Sequence, residues 1–83
     1  MKNKGDIPME KLLEILTDLH PDVDFETANT LIDDGILDSF DIVTIVAEID
    51  AEYDVQIPAE ELIPENFNSA AALHALVQRL AEE

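Results

Sequence analysis

The chain contains no cysteine and almost no positive charge, and each absence removes a class of function. Without cysteine there is neither a disulfide nor a thiolate, so any thiol chemistry has to come from an added group. Lys2, Lys4, Lys11 and Arg79 are the only basic side chains against 20 acidic ones, giving a formal net charge of -16, and residues 12–78 hold none. A nucleic-acid or anionic-membrane surface is excluded, because phosphates need Lys and Arg to replace their counterions. The partner that suits such a chain is a basic patch on another protein, reached by electrostatic steering. Long apolar runs are missing too: the segment after Met1-Lys2-Asn3-Lys4 is too polar for a signal peptide, and no stretch spans a bilayer. A cytoplasmic monomer is expected. No Gly-x-Ser-x-Gly elbow occurs, which argues against a hydrolase. Asp22, Asp24 and Glu26 alternate as metal ligands can, but Thr27 stands where a calcium loop requires glycine, so no dedicated metal site is expected.

What is present is enough apolar side chain, 47% of 83 residues, for one core. The expectation is a single domain over residues 1–83, all-α, a small four-helix bundle of three longer helices and one short one. Residues 7–20 carry Met9, Leu12, Leu13, Leu16 and Leu19 at helical spacing, with Asp6 as cap, Pro8 in the first turn and His20-Pro21 as the stop. His20 is placed to interact with the carboxyl end of that helix. Residues 21–38 lack periodicity, a long connection that Val23, Phe25, Leu31, Ile32, Ile36 and Leu37 can pin to the core, with a helical turn around Ala28–Ile32 and a positive-φ turn at Gly35.

Residues 39–53 read as the second helix, with Ile42, Ile45, Val46, Ile49 and Tyr53 on its apolar face and Asp41, Thr44, Glu48 and Glu52 on the other. Its β-branched run would suit a strand by propensity, but the pattern sustained to Tyr53 has the helical period. Asp54 to Pro58 is an extended link, a brief helix follows at Ala59–Leu62, and Pro64 ends it. The last helix starts with Asn68 or Ser69 as cap and runs to Ala81, with Leu73, Leu76, Val77 and Leu80 facing inward. His74 sits within it.

The pivotal stretch is Asp33-Asp34-Gly35-Ile36-Leu37-Asp38-Ser39-Phe40, where the irregular segment ends and an apolar helix begins. Asp38 is a good N-cap, and Ser39 follows on the first turn. On these residues, together with Leu31-Ile32, the link Tyr53-Asp54-Val55-Gln56-Ile57-Pro58 and the final helix, the chain resembles acyl carrier proteins and their aminoacyl relatives. In that family an Asp-Ser-Leu motif opens the second helix and its serine receives 4'-phosphopantetheine from coenzyme A. Phe40 replaces the usual leucine, and Thr44 stands where fatty-acid carriers commonly have an acid. Glu65-Asn66-Phe67-Asn68-Ser69 and the residues before Ser39 also look like D-alanyl carrier proteins.

The resemblance implies that Ser39 carries the arm, with Asp38 capping the helix beside it, and that the protein is no enzyme. Ser39 has no histidine or lysine near it in sequence to act as base, so activation falls to a phosphopantetheinyl transferase. The arm would supply the thiol this chain lacks and hold acyl intermediates as thioesters for fatty-acid, polyketide or related acyl assembly. The alternatives are an aminoacyl carrier of the D-alanyl or peptide-synthesis type, or an unmodified acidic interaction domain. Enzymes that load and transfer the cargo would meet Phe40, Val43 and Ala47, rimmed by Asp41 and Glu48, with basic docking surfaces. Strong self-repulsion predicts a melting temperature raised by salt or magnesium; thermal melts at increasing ionic strength check this, and an unchanged midpoint counts against it.

Overall fold

Leucines at three- and four-residue spacing make Met9–Leu19 an amphipathic helix, α1, in the computed structural model, which describes residues 7–82. Ile15 joins Leu12 and Leu16 as the buried stripe, and Met9, Leu13 and Leu19 are half-buried at its edges. The helix starts later than its pattern suggested. Pro8 is the N-cap in extended backbone instead of lying within the first turn, and Asp6, expected as cap, lies outside the described residues. The start is held instead from the last helix. The Ile7 N–H donates to Gln78 Oε1 at 3.2 Å, and His74 Nε2 donates to the Ile7 carbonyl at 2.6 Å.

The long connection after His20 is pinned where apolar residues fall. Phe25, Leu31 and Leu37 are buried, and Val23, Ile32 and Ile36 pack partly against the core. Its helical turn lies slightly further on than expected, at residues 31–35, while 28–30 are irregular. The reason is local: the Asp34 N–H reaches the Thr30 carbonyl at 2.8 Å and the Gly35 N–H reaches the Ile32 carbonyl at 3.0 Å, closing the turn around the paired aspartates. Gly35 exits it at φ +74°, a region L side chains rarely adopt.

Ser39–Tyr53 form α2, helical in spite of Ile42, Val43, Thr44, Ile45 and Val46. Burial of Ile45 and Ile49 outweighs the small propensity penalty of β-branching. Thr44 turns its hydroxyl back onto the Phe40 carbonyl at 3.1 Å. Asp54 ends the helix in the left-handed region at φ 58°, its N–H on the Asp50 carbonyl, a conformation aspartate tolerates better than most residues.

The link from Asp54 to Pro58 is extended, with Val55 and Ile57 buried, and a single 3-10 turn follows at Ala59–Glu61. Pro64 does not end that turn. It opens a four-residue helix, α3 (Pro64–Phe67), where its missing N–H needs no partner. The final helix, α4, runs Ala70–Ala81 with Ser69 as its N-cap, and buries Ala70, Leu73, Leu76 and Val77. α1 packs on α2 and α4, and α3 on α4, so the described residues form an all-helical bundle around one core cluster. None of these helices is long and apolar enough to cross a membrane.

Candidate functional site

The opening of α2 is built by a reciprocal cap. Asp38 Oδ1 accepts the Asp41 N–H at 2.9 Å, and Asp41 Oδ2 accepts the Asp38 N–H at 3.2 Å. An acid at the cap and a second acid three residues on thus occupy two backbone donors that the helix would otherwise leave unmatched. Ser39 and Phe40 lie between them and are exposed. Among the described residues the Ser39 hydroxyl makes no hydrogen bond, and no base holds it. The chain's other serine, Ser69, is engaged in capping α4, accepting the Ala72 N–H at 3.0 Å. Of the two, only Ser39 has its hydroxyl uncommitted, at the rim of a fixed helix start.

Asp41 does more than the sequence suggested. Expected on an exposed docking rim, it folds back into the cap with its side chain only 17% exposed, and accepts His20 Nε2 at 3.0 Å on the same Oδ2. The His20 ring therefore reaches across to α2 and does not serve the carboxyl end of α1, whose Leu16 carbonyl takes the His20 backbone N–H instead. Burial pushes the Asp41 carboxyl up, but the hydrogen bonds from His20 and the Asp38 backbone, with the His20 charge, outweigh it and hold the group below its ordinary 3.8. A carboxyl lowered in the folded state stabilises the protein above that ordinary value. The contribution is lost as the pH falls through the lowered one.

Phe40, Val43 and Ala47 lie at three- and four-residue spacing along α2 and are exposed, Phe40 at 77% and Val43 at 64%. An aromatic ring left so open beside Ser39 has no role in packing the core. Glu48 is exposed and lies on a groove between α1 and α2, together with Glu14, Asp18 and Glu52. Lys11 enters that groove at 3.5 Å from Glu52. Leu62 and Ile63, after the 3-10 turn, form another exposed apolar pair that sequence reasoning did not single out. Their turn is tied down by Arg79, which grips Glu61 with both Nη atoms at 3.2 and 3.3 Å and holds its carboxyl below the usual range.

The residue sequence reasoning most undervalued is Asn68. The sequence offers it as one of two candidate caps for the last helix, a role that Ser69 takes. Asn68 straps the connection before Ser39 instead. Its carbonyl accepts the Leu31 N–H at 2.9 Å, and its Oδ1 accepts the Ile32 and Asp33 N–H groups at 2.9 and 3.1 Å. Its Nδ2 donates to Asp33 Oδ2 at 3.2 Å. Asn68→Ala should cost about 1–3 kcal/mol, since the Ile32 amide is left half-buried without its acceptor. Thermal melts together with hydrogen exchange at Ile32 and Asp33 check this, and unchanged exchange would refute the strap. No sequence signal separates such a strap from an ordinary cap, because its partners lie 35 and 36 residues away.

Comparison with known proteins agrees with this geometry. The chain is 32% identical over 53 residues to the D-alanyl carrier protein of Lactococcus lactis subsp. cremoris (strain MG1363), covering 64% of this chain and 67% of that protein. It is 43% identical over 47 residues to aminoacyl carrier protein 1 of Bradyrhizobium diazoefficiens, covering 57% of this chain and 51% of that protein. To aminoacyl carrier protein 2 of the same organism it is 33% identical over 63 residues, or 76% and 63% of the two chains. No family model matches the chain, and no solved structure matches it significantly. With its all-helical bundle and these relatives, the chain belongs to the carrier-protein family that includes the acyl, D-alanyl and aminoacyl carriers.

Proposed function

We propose that the protein is a non-catalytic carrier whose Ser39 holds 4'-phosphopantetheine, and that its cargo is an aminoacyl group. The observation that carries the first part is the exposed, uncommitted hydroxyl of Ser39 on a doubly capped helix start. The residues fit the group. The Ser39 and Phe40 backbone N–H groups are not used by the cap, so they offer a phosphodiester the favourable end of the helix dipole. The site is open enough for a long, flexible substituent, and among the described residues no side chain is hydrogen-bonded to the Ser39 hydroxyl to take its proton, which leaves that task to a phosphopantetheinyl transferase. When bound, the group supplies a terminal thiol on which a carboxylic acid can be held as a thioester. The chain's own part is to cap, orient and present Ser39, and to offer Phe40, Val43 and Ala47 beside Glu48 to partner enzymes with basic surfaces.

Of the two cargo classes the sequence offers, fatty-acid or polyketide assembly first and an aminoacyl group second, this reading takes the second. The D-alanyl and aminoacyl carriers among its relatives favour an amino acid. Incubation with coenzyme A and a broad-specificity transferase should add one phosphopantetheine to the intact mass. No gain under conditions that modify a known carrier would sink the cofactor reading and promote an unmodified acidic interaction domain. An amino-acid-adenylating enzyme should then charge the modified protein, and charging only by an acyl-transferring enzyme would return the cargo to the fatty-acyl class.

A further inference from the structure

Two elements meet at the serine-bearing end of α2, and one side chain joins them. His20, the residue that ends α1, lies 21 positions before Asp41 and donates to the same carboxylate oxygen that accepts the Asp38 N–H. The pair is sheltered, with the His20 side chain 30% exposed and Asp41 17%. We infer that His20 is a positioning residue for the modification of Ser39: by holding Asp41 from the end of α1, it fixes the cap that presents the serine to the transferase. This rests on the carrier reading given above and adds to it a residue that lies outside the Asp38–Asp41 segment.

The geometry gives His20 little else to do. Among the described residues its Nε2 has one partner, Asp41, and that partner's oxygen is already shared with the backbone at the cap. The charged groups facing Asp41 are His20 from α1 and Asp38 from the cap itself. Lys11, the lysine on α1, is engaged with Glu14 and Glu52. Without the ring, Asp41 faces another carboxylate at the cap and loses the one side-chain hydrogen-bond donor it has among the described residues. Its side chain then has reason to swing toward water, releasing the Asp38 N–H and loosening the turn that bears Ser39.

The test compares phosphopantetheinyl transfer to the wild type, His20→Ala and His20→Gln, with the Asp41 carboxyl titrated by NMR in the unmodified proteins. Alanine should lower kcat/KM about tenfold, the loss of one charge-assisted hydrogen bond, and the fall should lie in kcat. Phe40→Ala, a docking change, should instead raise KM. Glutamine keeps an N–H donor and should recover most of the rate, and the Asp41 titration should move up toward its ordinary value in His20→Ala. Thermal melts identify any variant that is simply unfolded at the assay temperature, and glutamine rescue then decides. Wild-type modification with His20→Ala transferring at an equal rate, or with an unmoved Asp41 titration, overturns the inference and leaves the carrier reading standing. Absence of modification in the wild type removes both.

Discussion

Ser39→Ala is expected to abolish phosphopantetheine addition completely while leaving the protein folded. The two halves of that result follow from different observations. The chemical half follows because the hydroxyl is the only atom of the residue able to form the phosphoester, and alanine has none. The structural half follows because the hydroxyl makes no hydrogen bond among the described residues, the residue is exposed, and alanine is the best helix former. Stability should change by no more than about 0.5 kcal/mol, as for surface substitutions remote from any specific feature. Ser69→Ala is the matched control and should do the reverse. It removes the acceptor of the Ala72 N–H and costs about 1 kcal/mol of stability, but leaves the added mass intact. Intact-protein mass and a thermal melt on the same samples check both. A mass gain that survives Ser39→Ala would place the attachment elsewhere.

The helices of this protein were legible because their apolar spacing is regular. α2 begins at Ser39 and ends at Tyr53 as its pattern indicates, and of the residues the spacing turns inward on α4, Leu73, Leu76 and Val77 are buried and Leu80 is partly so, with Ala70 buried besides. What the pattern did not carry was pairing across long sequence distance. Asp41 has the same chemistry as Glu48, and residue type alone does not separate an acid turned into a cap from one left on a groove. Its position three residues after Asp38 was a usable signal of the reciprocal cap. The His20 contact had no comparable signal, since it depends on how the connection of residues 21–38 brings the end of α1 to the start of α2. Pro64 shows a different ambiguity: the same residue stops one helix or starts another, and the burial of Phe67 decides for a start.

Phe67→Ala should be the most damaging single change to the fold, at about 3–5 kcal/mol. Phe67 is 1% exposed and among the largest fully buried side chains, yet it belongs to a helix of four residues. Such a helix has no stability of its own, because nucleation alone costs more than one turn returns. α3 is therefore held chiefly by what Phe67 buries, and its loss leaves a cavity, with the hydrogen bonds of Asn66 to Glu61 and of Asn68 to Ile32 and Asp33 left to fix the segment. For a domain this small, whose whole stability is about 5–10 kcal/mol, the melting temperature should fall by about 15 °C or more. Phe67→Leu should lose less, because most of the apolar volume remains. The neighbouring strap makes a sharper test. Asn68 follows Phe67 directly, so a variant that releases α3 also releases the Asn68 contacts to Ile32 and Asp33. Asn68→Ala should then cost clearly less in the Phe67→Ala background than in the wild type, a coupling that denaturant melts of the four proteins would measure. Additive losses would mean that the buried ring and the strap are independent, and that Asn68 holds the connection leading to Ser39 whether or not Phe67 anchors α3.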